Sequence, residues 1–153
     1  MHIKENITRK FIWILSVIYL LILIKLVFFK IPIDLVIQNI KGAESIHPSV
    51  NIIPFKTILN YIKGLPDSSI AIKNLLGNLV LLAPFAIFLP LLFKNIKNYK
   101  QIFAYSLLFS MTLETIQLGL RLGSFDIDDL ILNVIGAMLG YGCIRLIMFF
   151  RMT

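Results

Sequence analysis

The chain consists of long apolar runs separated by short polar segments. At 1.5 Å per residue, a helix of about 20 apolar residues crosses the roughly 30 Å hydrocarbon core of a bilayer. Pro84 lies within the second run and predicts a kink or break there, because proline lacks a backbone N–H. The pattern predicts an all-α fold, a polytopic membrane helix bundle in one domain, residues 1–153. The predicted spans are 11–29, 74–93, 102–120 and 130–150.

A short amphipathic helix is predicted in the long connection between the first two spans, residues 30–73. The segment PFKTILNYIKG has Pro54 where proline suits the first helical turn and Gly64 where glycine suits the end. A short basic helix with an apolar face beside membrane spans favours the membrane interface. The alternative is a loop helix that packs only on its own connection. The apolar side holds Phe55, Ile58, Leu59 and Ile62, and the polar side holds Lys56, Asn60 and Lys63.

Composition and charge narrow the class of protein and set its expected orientation. Hydrophobic residues make up 58% of the chain and charged residues 15%, which is unlike a soluble domain. The net charge is +7, and Lys94, Lys97 and Lys100 crowd the turn between the second and third spans. By the positive-inside rule, this turn and both termini are cytoplasmic. The basic excess indicates contact with anionic lipid headgroups, and we predict no nucleic-acid partner.

Polar residues gather on one face of each of the last two spans. They recur every three or four residues, which places them on one side of a helix. Gly136 and Gly140 extend the face of the fourth span and permit close approach of a neighbouring helix, so we expect the two faces to meet. The third span contributes Ser106, Ser110, Glu114, Gln117 and Arg121, and the fourth Asp129 and Asn133.

The depth of these residues indicates a pocket in the outer leaflet. In an up-and-down arrangement, Asn78 and Glu114 lie roughly 6–10 Å below the outer surface. Asn74 and Asp126 lie nearer that surface. Because ionisable groups in hydrocarbon are costly, such a cluster is a hypothesis of function. The candidate catalytic residues are Glu114, Asp126 and Asp129, and the candidate ligand-binding residues are Asn74, Asn78, Gln117, Arg121 and Asn133.

Several chemistries and several structural roles remain open for this cluster. Glu114 could act as a general acid or base in apolar surroundings, and Arg121 could hold a phosphate or carboxylate. Alternatively, Glu114 and Arg121 neutralise one another, while Asp126 and Asp129 cap the fourth helix. Asn78 and Asn133 could simply hydrogen-bond neighbouring helices, and we expect Asp128 to be solvated.

Metal and cofactor sites receive little support from the sequence. Cys143 is the only cysteine and the two histidines are isolated, so no zinc-type site is predicted. The acidic turn leaves open a divalent cation held through oxygen ligands. We predict no cofactor and no resident metal, and no nucleophile–base pair for a covalent hydrolase is evident.

The same residues resemble the motif pattern of the VanZ-like family of small bacterial membrane proteins. The resemblance implies an integral membrane protein of Gram-positive-type bacteria. It also implies an association with low-level resistance to the lipoglycopeptide teicoplanin, without a settled biochemical activity. The matching residues are Asn51, Pro54, Phe55, Asn74, Gly77, Asn78, Ala83, Pro84, Phe85, Glu114, Gln117, Arg121, Asp126, Asp129, Asn133, Gly136 and Gly140.

The leading hypothesis is a multi-pass cell-membrane protein with an outward-facing polar pocket. It would bind or modify an amphiphilic ligand of the cell envelope, such as a lipid-linked precursor or a lipoglycopeptide. The first alternative is a membrane enzyme that acts on a lipid-linked substrate with Glu114 as acid or base. A small transporter or structural partner subunit ranks third. The lipid bilayer is the expected partner, and the length permits a homo-oligomer without indicating one.

Overall fold

A computed structural model describes residues 2–28 and 49–152 as six α-helices and a pair of two-residue strands. The predicted all-α fold is confirmed for this part of the chain. Residues 30–48 of the predicted long connection lie outside the described ranges. In chain order the elements are α1 (His2–Phe28), β1 (Val50–Asn51), α2 (Lys56–Ile62), α3 (Ser68–Leu81), α4 (Ala83–Leu92), α5 (Tyr99–Gly119), β2 (Phe125–Asp126) and α6 (Ile127–Met152).

The predicted membrane spans are confirmed, with shifted boundaries. Among the described residues, four helical segments are long and apolar enough to cross a membrane. The second span begins earlier than its apolar run, because the Asp67 side chain accepts hydrogen bonds from the backbone N–H groups of Ser69 and Ile70. This cap satisfies N–H groups that a helix start otherwise leaves free. The four segments are Ile7–Phe28, Ser68–Leu92, Tyr99–Gly119 and Ile127–Phe150.

The second span is broken at Leu82, two residues before Pro84, as the proline predicted. Pro84 cannot donate a hydrogen bond to the carbonyl of Val80, four residues back. The backbone N–H of Leu82 donates to that carbonyl instead, and α4 then starts at Ala83. The carbonyl that Pro84 frees is thus satisfied by the backbone at the break, as membrane helices require.

Helix α6 lies at the centre of the bundle and packs against α3, α4 and α5, while α1 packs on α4 and α5. The buried core includes Leu82, Ala86, Ile102, Ala137 and Tyr141. By contrast, many large apolar side chains on the outer faces of the spans are exposed, as expected for helices that face lipid.

Gly136 and Gly140 permit close helix contact, but with a partner that the polar faces did not predict. A Cβ atom at Gly136 would lie 1.7 Å from the carbonyl oxygen of Leu79, and one at Gly140 would lie 2.4 Å from that of Ala83. The glycines therefore face the second span on both sides of its break. The expectation that the polar faces of the third and fourth spans meet is confirmed at Asn133, whose side-chain amide donates to Ser110 Oγ at 3.0 Å, but not at the two glycines.

Candidate functional site

The strand pair joins the segment before α2 to the acidic turn after α5. Val50 pairs with Phe125 and Asn51 with Asp126, in parallel. The side-chain amide of Asn51 also donates to Asp126 Oδ1 at 3.0 Å. Two parts of the chain that are far apart in sequence are thereby fixed side by side at one end of the bundle.

Asp128 is fully buried and caps α2, so the expectation that it is solvated is wrong. Its carboxylate accepts hydrogen bonds from the backbone N–H groups of Phe55 at 2.5 Å, Thr57 at 2.7 Å and Ile58 at 3.1 Å. Phe55 has a left-handed backbone, φ 64°, which turns the chain into the helix. Because the free N–H groups of α2 are satisfied by α6, the helix begins at Lys56 instead of Pro54.

Helix α2 ends just before Gly64, the residue that was predicted to end it. Gly64 has φ +74°, and its N–H donates to the carbonyl of Tyr61, while the N–H of Leu65 donates to that of Asn60. This pair of hydrogen bonds is the Schellman arrangement, which favours glycine in the left-handed position. The predicted end of the amphipathic helix is therefore confirmed.

Asp126 serves as the N-cap of α6 and as a second attachment for α2. Its Oδ1 accepts from the backbone N–H of Asp128 at 2.9 Å, and its Oδ2 accepts from Thr57 Oγ at 2.6 Å. The capping alternative is therefore confirmed for Asp126. Its own backbone N–H donates to Glu114 Oε2, with 3.4 Å between the nitrogen and the oxygen. This hydrogen bond connects the N-cap of α6 to the carboxylate of Glu114.

A cavity of about 200 Å³ lies between α2, α3, α5 and α6. It contains six of the predicted site residues, contributed in pairs by three spans. Asp126 and Arg121 are not among the described lining residues. The lining consists of Val27, Tyr61, Asn74, Asn78, Leu81, Leu113, Glu114, Gln117, Leu122, Gly123, Ser124, Asp129 and Asn133.

Two carboxylates line this cavity, and each is held by a neighbouring element. Glu114 is buried at 5% exposure, against the backbone of the acidic turn. Asp129 accepts a short hydrogen bond from the side-chain amide of Asn78 on α3. A buried carboxylate that faces a cavity can accept hydrogen bonds or exchange a proton with an occupant.

Asn133 lies deep in the cavity wall at 2% exposure. Its Nδ2 donates to Ser110, which leaves Oδ1 as a buried acceptor without a hydrogen-bond partner among the described residues. Gln117 has a structural contact as well, since its Nε2 donates to the carbonyl of Val27 at 3.0 Å. That carbonyl belongs to the last turn of α1, where helices lack intrahelical donors.

Arg121 does not continue the polar face of α5, because the helix ends at Gly119. Arg121 is exposed with φ 53°, and its N–H donates to the carbonyl of Leu118. The N–H of Leu122 donates to that of Gln117, which completes a Schellman turn with arginine in the position that favours glycine. Extending the helical phase to Arg121 was therefore wrong, although the residue lies in the turn above the cavity.

Tyr61 is a lining residue that the sequence interpretation missed. Its hydroxyl accepts a hydrogen bond from Asn74 Nδ2 at 2.9 Å. Partial burial raises the pKa of Tyr61; the Asn74 hydrogen bond lowers it, and the charges of Asp129 and Asp126 raise it. With the net pKa raised, the phenol keeps its proton and can donate to an occupant. The sequence did contain a signal for Tyr61. Thr57 and Tyr61 are four residues apart and therefore share a third face of α2, between its apolar and basic sides.

Comparisons with known proteins agree with the motif pattern. The protein named VanZ from Enterococcus faecium is 32% identical over 127 residues, which cover 82% of this chain and 68% of that protein. No solved structure matches. The family model described as VanZ/LLP1 matches residues 16–149. The chain therefore belongs to the VanZ family of membrane proteins.

Proposed function

We propose that this protein binds the polar head of an amphiphilic cell-envelope component from the outer leaflet, and thereby contributes to teicoplanin-type resistance. The ligand would be a lipid-linked precursor or a lipoglycopeptide. The observation that carries the proposal is the cavity, in which polar side chains from three spans converge among buried apolar residues. Concave sites with a few convergent polar groups are the usual form of ligand sites.

The depth of the cavity suits a ligand that remains anchored in the membrane. The lining residues lie in the α3 half of the second span, near the end of α5 and near the start of α6, which is one end of the bundle. Glu114 precedes the end of α5 at Gly119 by a little over one turn, which places it roughly 8 Å inside. A polar head at that level leaves its apolar tail among the acyl chains.

The apolar side of α2 supports a position at the membrane interface. Phe55, Leu59 and Ile62 are exposed at 55%, 52% and 71%, whereas Tyr61 of the same helix lines the cavity. A helix that is apolar towards solvent and polar towards a cavity fits the lipid–water boundary. In this proposal α2 covers the cavity and contacts lipid at the point of entry.

The proposed orientation places α2 and the cavity outside and both termini in the cytoplasm. Lys94 and Lys97 lie in the turn between α4 and α5 and Lys100 in the first turn of α5, at the end of the bundle opposite the cavity. A cluster of lysines next to membrane spans favours the cytoplasmic side. Access from the outer leaflet follows from this orientation.

The direct test is Glu114→Gln, which removes the charge and preserves the size of the side chain. Cells that express this variant should become as susceptible to teicoplanin as cells without the protein, at matched membrane levels. Ser106→Ala is the control, because Ser106 is equally buried on α5 but is not a lining residue. Retained resistance in the Glu114 variant, or equal loss in both, would refute a role for the cavity.

An enzymatic role is the second proposal, and the buried position of Glu114 favours it. A carboxyl group in apolar surroundings can serve as general acid or base if it can exchange its proton at working pH. This proposal predicts a modified lipid-linked product in mass spectra of membrane extracts. Glu114→Gln should abolish the product while the substrate still binds. If wild-type and variant extracts have the same lipid composition, binding without turnover is the better account.

A further inference from the structure

The unpaired oxygen of Asn133 gives information about the chemistry of the occupant. This Oδ1 atom is buried, belongs to a residue that lines the cavity, and accepts no hydrogen bond from the described residues. Buried acceptors in folded proteins are nearly always satisfied. An O–H or N–H group of an occupant would satisfy it. The occupant should therefore bear a hydrogen-bond donor at this depth.

The remaining polar groups of the lining include both hydrogen-bond acceptors and a hydrogen-bond donor. Glu114 and Asp129 present carboxylate oxygens, while Tyr61 presents a phenol whose hydrogen remains available after it accepts from Asn74. Among the described lining residues there is no lysine or arginine. A phosphate supplies acceptors and negative charge only, so it suits this lining poorly. A hydroxyl group both donates and accepts. It can therefore donate to the amide oxygen of Asn133 or to a carboxylate, and it can accept from the phenol of Tyr61.

The size of the cavity limits how much of the ligand it holds. A volume of about 200 Å³ is below the range of roughly 300–1,000 Å³ for drug-sized ligands. It is comparable to a single sugar ring with its hydroxyl groups. Leu81, Leu113 and Val27 provide an apolar wall for the carbon face of such a ring.

We propose that the cavity binds one hydroxyl-bearing sugar ring at the head of a membrane amphiphile, with Asn133 Oδ1 accepting a hydrogen bond from a sugar hydroxyl. This inference rests on the proposed function and specifies the ligand class of the same site. The rest of the amphiphile lies outside the cavity, with its tail in the outer leaflet.

Lipid competition on the full-length protein tests the inference. The protein is purified in a polyoxyethylene detergent, which contains no sugar, and is mixed with equal amounts of three dioleoyl lipids. These are monoglucosyl-diacylglycerol, phosphatidylglycerol and phosphatidylethanolamine. Native mass spectrometry then measures the bound lipid. We expect the glucolipid complex to exceed the phosphatidylglycerol complex about tenfold, as one or two additional hydrogen bonds would give.

Two variants separate ligand contact from helix packing. Asn133→Ala removes the acceptor and should abolish the preference for glucolipid. Ser110→Ala removes the partner of Asn133 Nδ2 but leaves Oδ1 in place, so it should preserve the preference. Thermal midpoints in the same detergent show whether each variant is folded. A preference lost in both variants, or kept in both, overturns the assignment of Oδ1 to the sugar.

The identity of the preferred lipid separates this inference from the proposed function. If phosphatidylglycerol or phosphatidylethanolamine is preferred and Asn133→Ala abolishes that preference, the sugar is wrong while amphiphile binding stands. If no lipid complex responds to Asn133→Ala and the Glu114→Gln variant also keeps teicoplanin resistance, both proposals fail.

Discussion

The carboxylates at the cavity end of the bundle fall into two groups with different surroundings. Asp126 and Asp128 accept hydrogen bonds from Asn51, Thr57 and the backbone of α2, and so attach the preceding segment to the bundle. Glu114 and Asp129 instead line the cavity. Asp128 and Asp129 are adjacent in sequence but about 100° apart around α6. Burial and charge alone therefore do not distinguish a carboxylate that attaches α2 to the bundle from one that could contact a ligand. The direction of the side chain makes the distinction.

The largest effect on stability is expected when the hydrogen bonds that attach α2 to α6 are removed. Asp128→Ala leaves three N–H groups at the start of α2 without their acceptor, which should cost about 3 kcal/mol. Hydrogen exchange of the α2 amides should accelerate strongly, and the thermal midpoint in detergent should fall. Asp128→Asn is the control, since it retains an acceptor oxygen and should cost less. Unchanged α2 exchange in Asp128→Ala would show that the contacts with Asp126 suffice.

A smaller effect is expected at Tyr61, which is near enough to one carboxylate of each group, Asp126 and Asp129, to feel the charge of both. Tyr61→Phe removes the acceptor of the Asn74 amide, which should cost about 1 kcal/mol. If attachment depends on Asp126 and Asp128, the α2 amides should exchange as in wild type while teicoplanin resistance falls. Tyr105→Phe is the control, because Tyr105 is 46% exposed on α5 and is not a lining residue. Faster exchange across α2 would instead make Tyr61 part of the attachment.

The smallest effect on stability is expected at Arg121, in the turn between the cavity and the attachment. Its φ of 53° is unfavourable for a residue with a Cβ atom. Arg121→Gly and Arg121→Ala both lose the arginine side chain, but only the alanine variant keeps the unfavourable backbone, so the glycine variant should be the more stable by about 0.5 kcal/mol. Thermal midpoints of the two variants in the same detergent measure the difference. Equal midpoints would show that the left-handed backbone does not strain the turn.

The membrane spans and the break at Pro84 were predictable because they depend on local properties. Apolar length determines whether a helix can cross a bilayer, and a missing N–H acts on the residues within one turn of proline. The convergence of Asn78, Glu114 and Asn133 was also predictable, since helical phase and span direction give both face and depth. Their role in ligand binding stays a prediction.

The errors occurred where a helix ended or a partner came from far along the chain. The periodic pattern continued through Arg121, but α5 ends at Gly119. The partner of the glycine pair was misassigned, because a small-residue motif indicates close approach without indicating the neighbour. Tyr61 was missed since its relation to Asn74 depends on how α2 is placed over α3.

The sequence by itself determined the class of protein, the number of spans and the faces that carry polar residues, because hydrophobic length and helical period are properties of single segments. Only the tertiary structure decided which acidic residues attach α2 and which line the cavity. The parallel pairing of Asn51 with Asp126 brings α2 to the start of α6, where its N–H groups meet the carboxylate of Asp128. Such contacts join residues about 70 positions apart, and no local pattern encodes them.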